Sequence, residues 1–161
     1  MLPRFDLFSF DQLTVPLLYD IMALRSEVFV VEQEAIYLDP DGRDRLSLHL
    51  CVMENDALIG YARIVPPDVK FEEPSVGRIV LMKNHRGRGL GKTLVQRGME
   101  EIWQRYGHLP IRIEAQHVMR GFYEAMGFAV VSDLYDWGGI PHVQMLSSCG
   151  RQSRSTGSHP I

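Results

Sequence analysis

Arg86-Gly87-Arg88-Gly89-Leu90-Gly91 follows an apolar, strand-like run, Val76-Gly77-Arg78-Ile79-Val80-Leu81-Met82, and opens a helix-like run from Leu90 to Tyr106. A strand, a glycine-rich turn and a helix start, in that order, make an anion site. Glycine lets the backbone approach a ligand closely, and the first N–H groups of a helix have no partner within it. The helix dipole adds partial positive charge at the same point. Arg86, Arg88 and Lys92 add full charges. A pyrophosphate is the natural guest.

Three phosphate-binding patterns compete for this segment. The nucleotide-binding pattern Gly, four residues, Gly-Lys-Ser/Thr finds its end in Gly91-Lys92-Thr93, but Arg86 stands where its first glycine is required. The dinucleotide fingerprint Gly-x-Gly-x-x-Gly fails on spacing, because the glycines fall at 87, 89 and 91. Gln/Arg-x-x-Gly-x-Gly/Ala is met in full by Arg86, Gly89 and Gly91. This last pattern resembles the pyrophosphate loop of the GCN5-related N-acetyltransferases (GNAT), which bind acetyl-CoA.

The 161 residues suit one domain with a real core, and 45% hydrophobic with 23% charged residues is ordinary for a globular chain. A formal net charge of −3, with the loop as the one clear basic cluster, argues against nucleic-acid binding. No apolar run reaches the length of a membrane span, so no membrane partner is expected. Met1-Leu2-Pro3-Arg4-Phe5-Asp6 does not read as a secretory signal. Cys51 and Cys149 form neither a disulfide framework nor a metal spacing, so no metal is expected and the cytoplasm is the default location.

Hydrophobic periodicity and turn signals give the element order β-α-β-β-β-α-β-α-β-β. Arg4 to Phe10 reads as a strand, and Thr14 as an N-cap with Pro16 in the first turn of a helix that reaches Phe29. Residues 34 to 47, with Pro40, Gly42 and several charges, read as a loop. Leu48–Met53 and Ala57–Val65 form a hairpin, and strand four is 76 to 82. After the helix from Leu90 come a strand at Ile111–Gln116, a helix at Val118–Met126 stopped by Gly127, and strands at Phe128–Leu134 and His142–Leu146. Residues 1 to 146 form the domain, and the Ser-, Gly- and Arg-rich stretch 147 to 161 reads as a disordered tail.

That order is similar to the GNAT fold over nearly all of residues 1 to 146. Four further stretches resemble its ElaA-type branch. They are Leu24-Arg25-Ser26-Glu27-Val28-Phe29-Val30-Val31-Glu32-Gln33, Tyr37-Leu38-Asp39-Pro40-Asp41-Gly42, Tyr61-Ala62-Arg63-Ile64 and Gly139-Ile140-Pro141-His142. The resemblance implies an α/β (α+β) fold with one mixed central sheet of about seven strands, flanked by helices and splayed between strands four and five. The pantetheine arm would lie in the splay, against backbone groups of Val80, Leu81 and Met82. Amides of Gly87, Arg88, Gly89, Leu90 and Gly91 would hold the pyrophosphate, with Arg86 and Lys92 beside them. The same set takes in Gln116, where the superfamily commonly has asparagine, and Phe122 and Tyr123.

Phe122-Tyr123-Glu124-Ala125-Met126-Gly127-Phe128 matches the family's Tyr-x-x-x-Gly-Phe ending. The resemblance implies that Tyr123 protonates the leaving thiolate, since a hydroxyl within hydrogen-bond reach lowers the cost of expelling it. A protonated amine cannot attack a thioester, so a base is needed as well. Glu32, Asp39, Asp41, His49 and His142 are the candidates, with Glu32, His49 and His142 foremost, and Glu114 could also face the cleft. Histidine has the ordinary pKa best suited to the task. The acids Glu32, Asp39 and Asp41 tilt the expectation toward a cationic acceptor. The implied activity is transfer of acetyl from acetyl-CoA to a primary amine of unidentified structure, by direct attack and without a covalent enzyme intermediate. A module that binds acetyl-CoA or CoA without catalysis is the alternative, and dimers are common in the superfamily, so a homodimer is compatible.

Overall fold

The computed structural model describes residues 2–150. The expected tail therefore lies outside the described residues from position 151 onward.

β1 (Arg4–Ser9) pairs antiparallel with β2 (Leu48–Glu54). Between them lies α1 (Val15–Arg25), whose N-cap Thr14 accepts the Leu17 N–H on its hydroxyl at 3.2 Å. Pro16 sits in its first turn, where a missing N–H costs nothing. The helix does not run on as an α-helix to Phe29. From Ser26 to Glu32 it widens into a π-helix, seen where Ala35 N donates to Val30 O at 3.1 Å and Gln33 N to Val28 O at 3.2 Å. Asn55 and Asp56, both at positive φ, turn β2 into β3 (Ala57–Val65). β4 (Ser75–Leu81) completes this half in the order β1-β2-β3-β4.

The second half has the order β5-β8-β6, built from β5 (Arg112–Gln116), β6 (Phe128–Val130) and β8 (Ile140–Ser147). A short β7 (Tyr135–Trp137) folds onto β8 through Gly138 and Gly139. It occupies part of the stretch expected as loop, while the strand expected over 128–134 stops at Val130. α2 (Leu90–Tyr106) joins the halves, and Gly107 at φ +88° ends it. The helix expected over 118–126 is shorter: α3 (Arg120–Glu124) follows a 3-10 turn at His117–Met119.

The halves meet at one seam. Arg112 N donates to Pro74 O at 3.0 Å where β4 and β5 begin, and beyond that point the two strands separate. A bulge in β4 contributes to the parting. Arg63 stands opposite Gly77 and Tyr61 opposite Val80, so Arg78 and Ile79 together face the single residue Ala62. Arg78 adopts φ +50° there. The expected splay between strands four and five is thus present.

Strand alternation divides the core between the two faces. Ala62 and Ile64 of β3 join Leu94, Val95 and Ile102 of α2 on one side. Tyr61 and Cys51 join Ile21, Leu24 and Val28 on the other. Each fully buried Leu or Ile contributes about 1.5–3 kcal/mol. The stretch expected as a loop over residues 34–47 holds a 3-10 turn at Asp44–Leu46 and buries Asp39 and Asp44.

Candidate active site

The turn before α2 is shaped for an anion. Gly87 and Gly89 hold φ +77° and +78°, and a Cβ at either would meet nothing within 4 Å. Gly89 is the N-cap and offers no side-chain acceptor, so the leading amides of α2 are left for a ligand. Lys92 lines the same space. A side-chain N-cap such as aspartate would fill this cradle itself; the glycine fits a diphosphate instead.

From this turn a cavity of about 540 Å³ runs along the seam. Val80 and Leu81 line it from β4, and Phe122 and Tyr123 from the segment after β5. Three residues of the expected cofactor set, Met82, Arg88 and Leu90, do not line this cavity. Met82 does not line the cavity, and its N–H is spent on Ile59 O at 2.9 Å. Arg88 turns away to Glu54 at 3.3 Å. Leu90 packs its side chain against the core.

Glu32 lines the cavity, but both its oxygens are taken by the Arg86 guanidinium, the second at 2.9 Å. That pairing holds its carboxyl below the ordinary range, so it makes a poor base. Arg86 Nε also donates to Leu81 O at 3.2 Å, tying the π-helix to the end of β4. Gln116 donates from Nε2 to Gln33 Oε1 at 3.0 Å and bridges the seam from the other side.

His49 is not at the site. It is 1% exposed and packs under residues 39–47. Its Nε2–H donates to the Asp44 carbonyl at 2.9 Å, and its Nδ1 accepts the Tyr61 hydroxyl at 2.7 Å. Burial pushes its pKa down, more than the Asp44 carbonyl and carboxylate raise it. The expectation of a base at His49 is corrected: both nitrogens are committed.

His142 stands opposite Gln116 across the β5–β8 pair and lines the cavity. Its Nδ1–H donates to the Ile140 carbonyl at 2.7 Å, which leaves Nε2 as the acceptor of the neutral ring. Tyr135 stacks beside it and donates its hydroxyl to Glu114 Oε2 at 2.6 Å. Lys70 pairs with the other oxygen of Glu114. Burial raises the Glu114 carboxyl, but Lys70 and Tyr135 outweigh it and hold the group below its ordinary range. Tyr123 has no such neighbours: burial alone pushes its hydroxyl up to about 12, so it keeps its proton at neutral pH.

Asp39 and Asp41 are not free to take an acceptor amine either. Asp39 accepts Arg25 Nε and Arg78 Nε, each at 2.7 Å, and the Tyr37 hydroxyl at 3.0 Å. Asp41 accepts the Arg63 fork at 2.7 and 2.8 Å. The acids that suggested a cationic acceptor are neutralised by arginines of the chain. Sequence reasoning missed the contributions of Arg78, Lys70 and Gln33 to the site. Arg25 and Arg63 were visible inside the ElaA-like stretches, but their convergence on Asp39, Asp41 and Asp44 was not.

A glycine turn at a helix start, leading into a splayed seam lined by Tyr123 and His142, fits the class of acyl-CoA-dependent acyltransferases. Residues 27–149 match the family described as acetyltransferase (GNAT) domain, and the chain belongs to that family. Within it the chain falls in the ElaA-type branch. Protein ElaA of Escherichia coli is 35% identical over 137 residues, 84% of this chain and 90% of ElaA. Its crystal structure superposes with a TM-score of 0.85 at 32% identity over 91% of this chain and all of that one (100%). An acyl-CoA N-acyltransferase from Pseudomonas aeruginosa gives 0.86 at 30% identity, over 91% and 99% of the two chains. UPF0039 protein sll0451 of Synechocystis sp. is 40% identical over 138 residues, 85% of this chain and 90% of its own length.

Proposed function

We propose that this acyltransferase moves an acetyl group from acetyl-CoA to a primary amine by direct attack. One observation carries the reading: a single cavity joins the cradle at Gly87–Lys92 to Tyr123 and His142. The co-substrate supplies an activated thioester, so no enzyme nucleophile is needed. His142 Nε2 takes a proton from the acceptor ammonium, directly or through one water. The amine nitrogen then bonds to the acyl carbon as the carbon–sulfur bond breaks. Tyr123 donates its proton to the departing sulfur, and the second proton leaves the acetylated nitrogen through water and restores the tyrosine hydroxyl. Cys51 has no part in this: it is fully buried, and burial pushes its thiol up to about 12.

The test is CoA release, followed with a thiol reagent, across a panel of primary amines. Wild type turns over at least one amine. Tyr123→Phe lowers kcat about 10²-fold or more and leaves acetyl-CoA affinity unchanged. Acetyl-CoA binding without CoA release for any amine would make the protein a binding module instead.

A further inference from the structure

We propose that the acceptor carries a carboxylate as well as its amine, and that a second, polar cavity binds that carboxylate; the proposal rests on the acyltransferase reading above. The second cavity has a volume of about 270 Å³. Its wall shares Gly77, Arg78, Glu114, Trp137 and His142 with the acyl-CoA cavity, so the two adjoin where His142 stands. The pyrophosphate cradle at Gly87–Lys92 belongs to the first cavity alone, which leaves the second to the other substrate.

Its charge is unbalanced. Arg43, Arg63, Lys70 and Arg78 line it against Asp41 and Glu114, and of these cations Arg78 is also paired with Asp39 at 2.7 Å and Arg63 with Asp44 at 3.1 Å, which do not line it. Asp41 has no capacity left. Asp41 Oδ1 accepts Arg63 Nη1 at 2.7 Å and the Arg43 backbone N–H at 3.0 Å, and its Oδ2 accepts Arg63 Nη2 at 2.8 Å and Arg43 Nη1 at 3.3 Å. Glu114 has one donor on each oxygen, Lys70 and Tyr135, and keeps a second acceptor position on each for the amine end. The donors are in surplus. Arg63 is 1% exposed, and its Nε–H has no acceptor among the described residues. Lys70 has one carboxylate partner for three ammonium protons.

A second ammonium would enlarge this surplus and a plain alkyl chain would leave it unmet, whereas a carboxylate supplies the missing acceptors. Arg43, the more exposed arginine of the wall, and Lys70 are the groups placed to take it. The amine end then lies toward Glu114 and His142, where Glu114 keeps its negative charge. A small amino acid meets both demands; a polyamine does not.

The experiment compares L-amino acids of small, aromatic, acidic and basic side chain with their carboxamides, and with spermidine, as acceptors in the CoA-release assay. Free acids exceed their amides at least about tenfold in kcat/KM, the loss expected when a charged hydrogen bond goes unmade. Arg43→Gln and Lys70→Gln shrink that ratio toward one while the KM for acetyl-CoA holds. Arg43→Gln, at the more exposed position, keeps the test open if Lys70→Gln does not fold. Amides or spermidine used as well as the acids, or a ratio unmoved by both variants, overturns the proposal. Calorimetric titration of the CoA-loaded protein with the same compounds separates the two readings. Acids that bind selectively without CoA release keep the carboxylate site and defeat acyl transfer. CoA release without acid selectivity defeats the site and keeps transfer, and neither binding nor release defeats the proposal.

Discussion

His49 and His142 are the same side chain in opposite circumstances. His49 is enclosed, with a carbonyl on one nitrogen and a hydroxyl on the other. His142 has a carbonyl on Nδ1 and lines the cavity with the rest of its ring. His142→Asn keeps an amide donor for the Ile140 carbonyl and removes Nε2. It is expected to lower kcat about 10²-fold with little change in acetyl-CoA binding or in melting temperature. His49→Ala strands the Tyr61 hydroxyl and the Asp44 carbonyl, and is expected to cost about 1–3 kcal/mol in urea unfolding while the folded enzyme turns over normally. An exchange of these two phenotypes would reassign the base. Sequence offered both histidines as equals because both lie on strands, but β2 with His49 is two strands away from the seam while β8 with His142 pairs with β5 at it. What separates them is a fold-back of residues 39–47 over His49, and no local pattern announces it. The thiols differ in the same way. Ellman's reagent should modify exposed Cys149 at once and buried Cys51 only on unfolding.

At the scale of elements, the turn into α2 was the most legible feature, because its glycines act through backbone geometry that neighbours cannot supply. The pattern's tolerance is itself physical. Gly89 sits at φ +78°, where a side chain is strained. Gly91 lies within α2, and a Cβ there would come no closer than 3.8 Å to Leu81 and 4.0 Å to Phe122. Alanine should therefore act with opposite sign at the two sites. Gly89→Ala is expected to destabilise by about 1–2 kcal/mol and to weaken acetyl-CoA binding. Gly91→Ala should be neutral or stabilise by up to about 1 kcal/mol and bind normally. Urea unfolding and a binding titration of both variants decide this, and equal effects would remove the left-handed turn as the cause. The π-helix was not legible. Over seven residues an apolar spacing suits either helix, and Val28 and Phe29 continue the pattern of α1. Its consequence is functional all the same, since it carries Phe29, Glu32 and Gln33 to the cavity wall.

For the molecule as a whole, the ElaA-like stretches carry an ion network that spans the first half. Arg25 comes from the end of α1, Asp39, Asp41 and Asp44 from the chain before β2, Arg63 from β3 and Arg78 from the β4 bulge. Their separation in sequence, up to 39 residues between Asp39 and Arg78, hides the pairing. The network braces the bulge that opens the seam, so its loss should reach the site as well as the fold. Burial raises the Asp41 and Asp44 carboxyls, but the arginines outweigh it and hold both below the ordinary carboxylate range. The unfolded chain therefore takes up protons at these groups first, near their ordinary pKa of about 4. Stability from the pair is complete above that pH and drains away as pH falls toward the folded values. Urea unfolding is expected to give a constant free energy near neutrality and a steep decline between about pH 5 and 3. Asp41→Asn leaves Arg63 buried without its fork partner. It should cost about 3–5 kcal/mol at neutral pH and flatten the acid limb, because one of the depressed carboxyls is gone. If wild type and Asp41→Asn decline in parallel, the network does not govern acid stability, and the bulge must be held by the packing of β3 and α2 instead.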